Sequence, residues 1–196
     1  MNRSWPLAVL LALLSQPARA CWVAQDAPGA LVFVARQPDG TAIRGDFTRF
    51  NGRVCLAPAD PGAARVRVRV ATASVDTGLP EQDDALRGPV FLDSTRWPAA
   101  TFVGASVQRL DDSGHYRVRG SFTLRGVSRE LDVPFTLTIS PDGHNARLQG
   151  RTVIRRLDFG VGQGQWADTQ WAADAVTLAL DVQLRRETPG ALESSP

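Results

Sequence analysis

The chain has 196 residues, with 22 basic residues that are all arginine, 20 acidic ones, two histidines and two cysteines. That length suits one domain with a sizeable core. Residues 1–20 hold Arg3, Arg19 and no acid, so without them 20 basic residues face 20 acidic ones, and this near neutrality, with arginines dispersed along the chain, excludes the basic footprint of a nucleic-acid binder.

Asn2 and Arg3, the apolar run Leu7 to Leu14 and the Ala18-Arg19-Ala20 site together predict a secretory signal peptide over residues 1–20. The run is too short for a transmembrane helix, which needs about 20 apolar residues. Cleavage after Ala20 makes Cys21 the first mature residue, and in an oxidising compartment the default is a disulfide with Cys55. A rival is acylation of Cys21, which Ala20 suits and Arg19 and Ala18 do not. The mature domain is expected over 21–186, with 187–196 a disordered tail. The protein is therefore expected to be periplasmic or secreted.

A first strand is predicted at Leu31–Arg36, a turn at Gln37–Gly40, and a second strand from Thr41 to Phe50, ended by an Asn51-Gly52 turn. A loop follows at Pro58–Ala64. Arg65 to Val70 then alternates arginine and valine, which sets Val66, Val68 and Val70 on one dry face. From Val75 to Phe102 the alternation stops. Gly78, Pro80, Gly88, Pro89 and Pro98 break this stretch into short pieces, yet Leu86, Phe91, Leu92, Trp97 and Phe102 travel with it. It is expected to cross over and close one end of whatever the strands build.

Period-two faces resume afterwards. They hold Tyr116, Val118, Phe122 and Leu124; then Leu131, Val133, Phe135, Leu137 and Ile139; then Ala146, Leu148, Thr152 and Ile154; and finally Val176, Leu178, Leu180, Val182 and Leu184. Thr101 to Leu110 is less clean. Turns fall at Asp111–Gly114 and Pro141–Gly143. About eight strands, each with one dry face and with no long amphipathic helix to cover them, must bury those faces against each other in a sandwich or closed barrel. Short connections favour an up-and-down antiparallel barrel, whose interior is either filled or holds one small ligand. Gly45, Gly120, Gly150, Ala146 and Thr152, small and inward, are expected to leave room for a cavity, though a glycine in a strand equally marks a bend or bulge.

Motifs for chemistry are sparse. Gly160-Val161-Gly162-Gln163-Gly164 lacks the third glycine of a dinucleotide loop and the lysine of a P-loop. His115 and His144 sit at turns, without the converging partners a metal or a nucleophile relay needs. Asp76, Asp83, Asp84, Asp93, Asp158 and Asp168 are numerous enough for a pair to converge for acid–base work, but in stretches that also hold glycine, serine or threonine they read as turn and capping residues. No metal, cofactor or catalytic residue is expected. The aromatic residues Phe91, Trp97, Phe102, Phe159, Trp166 and Trp171 gather in two irregular stretches and are expected to plug or line the barrel.

Three motifs carry a family resemblance: Ser74-Val75-Asp76-Thr77-Gly78 before Asp84 and Leu86-Arg87; Gly120 with Leu124, Gly126-Val127 and Arg129; and Arg156-Leu157-Asp158-Phe159-Gly160. In order and spacing, from about Trp22 to Arg186, the chain resembles the YceI-like family of secreted bacterial proteins. It departs from that pattern where Asp26 is followed by Ala27-Pro28-Gly29 instead of histidine or serine. The resemblance implies an all-β fold: an extended eight-stranded antiparallel barrel, similar to a lipocalin, with a short irregular or helical crossover at about 79–97. It also implies a polyisoprenoid or similar amphiphile inside the barrel and, by analogy with members associated with membrane b-type cytochromes, an isoprenoid quinone as ligand.

On this reading the tail is expected to touch Phe47, Val68, Leu86, Phe91, Trp97 and Phe102, together with Val118, Phe122, Phe135, Phe159, Trp166 and Trp171. Arg87, Asp93 and Arg156 are the head-group candidates. A filled-barrel interaction module and a lipid-acting enzyme are the alternative readings.

Overall fold

The valine–arginine alternation of residues 65–70 becomes the middle of a long strand in the computed structural model, which describes residues 20–24, 26–57 and 60–187. The expected signal peptide, apart from Ala20, and the expected tail beyond Glu187 lie outside the described residues. The strands are β1 (Ala20–Ala24), β2 (Leu31–Arg36), β3 (Ala42–Phe47), β4 (Phe50–Ala57), β5 (Asp60–Ala71), the two-residue β6 (Val75–Asp76), β7 (Ala99–Arg109), β8 (His115–Leu124), β9 (Val127–Ile139), β10 (Asn145–Arg155) and β11 (Ala175–Arg186), with one helix, α1 (Pro80–Arg87).

All pairings are antiparallel, and β1 pairs with both β4 and β11, which closes the ring. β1 and β2 run in the same sense along β11, from Trp22↔Arg186 to Val34↔Thr177. β3 and β4 lie against them in turn, and β5 with β6 against β3 and β4. Each of these three pairs is one long barrel stave with a break in it, so the ring is a closed eight-stranded antiparallel barrel, up and down in order.

Two local departures from the expected elements have physical causes. Asn51 and Gly52 do not form a turn; they pair with Arg69 and Val68 inside β4. The chain bends before them, at Thr48 and Arg49, whose backbone N–H groups bond to Ser74 O and Ser74 Oγ. The loop expected at Pro58–Ala64 is shorter, because β5 already begins at Asp60, opposite Ala57. The mixed faces of 101–110 come from a register shift between Gly104 and Ser106, a bulge that swaps the faces along β7.

From Thr72 to Pro98 the chain leaves the ring and returns. Pro80 at the first helical position starts α1, Glu81 and Asp83 favour its positive end, and Arg87 closes its last turn. Arg87 also ties the helix down: Nε donates to Ala73 O at 2.9 Å and Nη2 to Val75 O at 2.7 Å. Asp83 accepts from the Thr77 N–H and hydroxyl. The stretch thus lies across one end of the barrel, held by polar staples that leave its apolar side chains free to face inward.

The buried side chains form two clusters. One, around Trp22, Leu56, Tyr116, Val133 and Leu184, sits at the end where β1 closes the ring. The other, around Phe33, Val75, Leu92, Leu124 and Phe159, sits beneath the crossover.

Candidate functional site

The interior is not solid. A cavity of about 570 Å³ runs through the barrel from Ala24, Val54 and Leu184 at the floor to Phe91, Trp166 and Ala172 at the mouth. β11 lines it with Val176, Leu178, Leu180, Val182 and Leu184, five alternate positions spanning about 27 Å at about 3.4 Å per residue. Those valine and leucine positions follow directly from the period-two pattern. The volume falls within the ordinary range of ligand pockets.

Of the residues expected to touch a tail, the structure places Phe47, Val68, Leu86, Phe91, Phe102, Val118, Phe122, Phe135 and Trp166 along this cavity. Phe91 and Trp166 tilt against one another at the mouth, centroids 5.5 Å apart. Three aromatics lie elsewhere. Phe159 is buried behind the wall, edge-on to Phe122 with centroids 5.3 Å apart. Trp97 packs against Gly126 outside the cavity, where a Cβ on that glycine would stand 2.5 Å from the indole, and the Arg96 guanidinium lies over its ring, 5.1 Å from the centroid. Trp171 is 59 % exposed on the rim.

Two of the three head-group candidates are also elsewhere. Arg87 is spent on the staples described above and on ion pairs with Asp84 at 3.0 Å and Asp83 at 3.7 Å. Asp93 occupies a turn at φ 48°, with its N–H bonded to Gly88 O. Arg156 does line the cavity and is only 5 % exposed. Its Nε, Nη1 and Nη2 donate to Ala173 O, Val161 O and Ala172 O at 3.0, 2.9 and 2.7 Å. Burial pushes the Arg156 pKa down, against an opposing pull from the charge of Asp174.

The glycines expected to make room do not. A Cβ on Gly120 would overlap the Val103 carbonyl oxygen and come within 2.7 Å of the Phe102 ring. On Gly45 it would meet Phe33 and Asp76 O at 2.7 Å, and on Gly150 it would meet Pro134 O at 2.9 Å. They are points of close backbone and ring approach. The cavity exists because the inward valines and leucines of opposite walls stop short of one another.

Sequence reading missed Asp174. It accepts from Leu157 N at 3.0 Å and Arg155 Nε at 2.8 Å, while its carbonyl accepts from Arg156 N. It thereby ties the two ends of the 156–174 segment that forms one wall of the mouth. Burial raises its pKa, but the bonds from Arg155 and Leu157 and the charges of Arg155 and Arg156 outweigh that, so it titrates below its ordinary value. Its flanking alanines carry no signal for this role.

The polar content of the wall is small. Thr72 Oγ1 donates outward to Trp97 O at 2.7 Å and Thr152 Oγ1 to Asp132 O at 3.1 Å. Glu81 is the one carboxylate among the lining residues, and no histidine lines the cavity. Among the described residues there is no cluster of three or more histidine, cysteine or carboxylate side chains fit for a metal. His115 instead bonds Asp111 at 2.7 Å in its turn. Cys21 and Cys55 are joined in a disulfide across β1 and β4, which leaves no thiol for acylation in this form.

The chain is thus a closed antiparallel barrel around an elongated apolar cavity, and comparison with known proteins places it in a family. Residues 22–184 match the YceI-like domain, and the chain belongs to the YceI-like family. UPF0312 proteins of Pseudomonas aeruginosa and Yersinia pestis are each 32 % identical over 143 residues, which covers 71 % of this chain and 72 % and 71 % of theirs. Among solved structures, Burkholderia cenocepacia BcnA superposes with a TM-score of 0.73 at 26 % identity, over 83 % of this chain and 95 % of that one. A polyisoprenoid binding domain from Saccharophagus degradans, implicated in plant cell wall breakdown, has the same fold with a TM-score of 0.66 at 14 % identity, over 87 % of this chain and all of its own.

Proposed function

We propose that this protein binds a long-chain isoprenoid lipid or isoprenoid quinone inside the barrel, outside the cytoplasm, to carry, store or sense it. The observation that carries this reading is the cavity itself: long, narrow and almost wholly hydrocarbon-lined, in a family whose fold is shared by a domain described as polyisoprenoid binding. The signal-type N-terminal sequence and the Cys21–Cys55 disulfide favour a periplasmic or secreted location. A quinone ligand would make a membrane b-type cytochrome a natural partner.

The energetics are sufficient. Burying a tail of about 20 carbons at about 0.8 kcal/mol each yields about 16 kcal/mol gross, and micromolar affinity needs only about 8 kcal/mol. The remainder covers lost translational freedom and ordering of the chain. No metal, cofactor or covalent step is required.

Lipid extraction and mass spectrometry of natively purified protein test this. An isoprenoid or quinone recovered in near-stoichiometric amount is the expected result. A consistently empty barrel that takes up neither prenyl lipids nor quinones would sink the proposal.

A further inference from the structure

The cavity carries one feature that a plain hydrocarbon tunnel does not need. Arg156 stands in its wall nine-tenths buried, and among the described residues no carboxylate lies within ion-pair distance of it. Asp174, beside it through the backbone, is occupied by Arg155 and Leu157. Glu81, the other charged lining residue, is exposed on the first turn of α1 and makes no ion pair with it. A guanidinium has five N–H donors, and three of the Arg156 nitrogens each give one to a loop carbonyl. Those carbonyls supply dipoles, not a counter-charge, and an unpaired cation in apolar surroundings is costly. Loop stapling accounts for the three bonds. It does not account for leaving the charge unmatched and two N–H groups without an acceptor among the described residues.

The position of Arg156 is equally specific. The Cβ that Gly162 lacks would overlap its guanidinium, so this glycine, at φ 88°, is what admits the group beneath the loop. Val161 and Ala172, whose carbonyls it bonds, line the mouth end together with Trp166. At the floor end Trp22, Val54 and Leu184 are apolar and buried. Of the three threonines in the wall, Thr72 and Thr152 give their hydroxyls to backbone carbonyls. A ligand entering the barrel thus meets one buried cationic donor, at one end, and a wall that is otherwise mostly hydrocarbon, with Gln37, Glu81 and Gln82 as its other large polar side chains.

We infer that Arg156 is the head-group receptor of the cavity: it selects an isoprenoid chain ending in acceptor oxygens, a quinone carbonyl or a prenyl phosphate, and fixes its polarity, head at the mouth and tail toward Ala24 and Leu184. This rests on the lipid-binding reading above and deepens it. A hydrogen bond to a charged donor in a water-poor site separates headed from headless chains by about tenfold or more.

The test compares ubiquinone-8, undecaprenyl phosphate and squalene, which has no head, on the wild type and on Arg156→Met and Arg156→Lys. The wild type is expected to prefer one or both headed lipids over squalene by at least about tenfold. Arg156→Met should abolish that ratio, and Arg156→Lys should keep part of it. Reading the ratio within each variant separates head-group selection from loosening of the loop, which weakens all three lipids alike. Preference for ubiquinone-8 alone or for the phosphate alone tells the two sources apart. Equal binding of all three lipids by the wild type, or an unchanged ratio in Arg156→Met, overturns the assignment. Binding of none of them overturns the lipid reading itself, a distinct result.

Should Arg156→Met fail to fold, the polarity stands open to a second measurement. Ubiquinone-8 should quench Trp166 at the mouth more than Trp22 at the floor, so Trp166→Phe removes most of the quenching and Trp22→Phe does not. The reverse pattern overturns the inference.

Discussion

Gly120 and Asp174 each fix the barrel through a contact that only the fold creates. The close approach of β7 at Gly120 leaves no volume for a methyl group, since the nearest obstacle is the Val103 carbonyl, which is backbone and cannot swing away. Gly120→Ala is therefore expected to lower stability by about 1 to 3 kcal/mol through overpacking, measured by urea denaturation. An unchanged midpoint would mean that the strands part easily there. Asp174 holds its loop mainly through the Leu157 N–H, because Arg155 is exposed and a surface ion pair contributes little. Asp174→Asn should cost about 1 to 2 kcal/mol at pH 7.

The sign of the pH dependence follows from the lowered pKa of Asp174. A carboxyl whose folded pKa is depressed stabilises fully above its unfolded value of about 3.9 and loses that contribution as pH falls through the lower folded value. The gap between wild type and Asp174→Asn in thermal denaturation should accordingly close on going from pH 7 to pH 2. A gap that is constant with pH would assign the effect to packing and not to the charge.

At the scale of elements, the crossover and the 156–174 segment divide their aromatic rings between lining and bracing. Phe91 faces the cavity against Trp166, whereas Trp97 packs against the Gly126 turn. Phe91→Ala is expected to raise the Kd for a prenyl lipid about fivefold while leaving the melting temperature nearly unchanged. Trp97→Ala should do the opposite, costing about 1 to 3 kcal/mol of stability by lost packing and sparing affinity. Equal losses of both in either variant would contradict the division. This division was not legible in the sequence, where both rings sit in the same broken stretch and nothing local distinguishes inward from outward. The strands were legible because Val66 to Val70 and Val176 to Leu184 alternate with period two, and register then fixes every other side chain on the dry side. Asn51-Gly52 misled because a turn-forming dipeptide was overridden by pairing with β5. Arg156 was legible as a polar residue near the mouth. That Arg87 is consumed by backbone carbonyls of residues 73 and 75 depends on a meeting of distant segments that no local pattern records.

Considered as a whole, the barrel has one short seam. β1 contributes five residues, pairing at five positions with β4 and at three with β11, whereas β10 and β11 pair at eleven. A strand so short holds its place by few hydrogen bonds, and an unpaired strand edge on either side of it would be open to water and to other chains. The Cys21–Cys55 disulfide crosses this seam between paired residues, with a sequence separation of 34. A loop of that size stabilises by about 3 to 4 kcal/mol in the chain-entropy model. Because Trp22 and Ala24 bring the core cluster to the floor of the cavity, the same bond keeps the closed end closed. Replacing both cysteines by serine should lower stability by about that amount. It should also raise amide exchange first at Trp22 to Ala24 and their partners in β4, before β8 to β10 respond. If instead exchange rose uniformly around the ring, the disulfide would act only on the unfolded chain, and β1 would be held as firmly as the long staves.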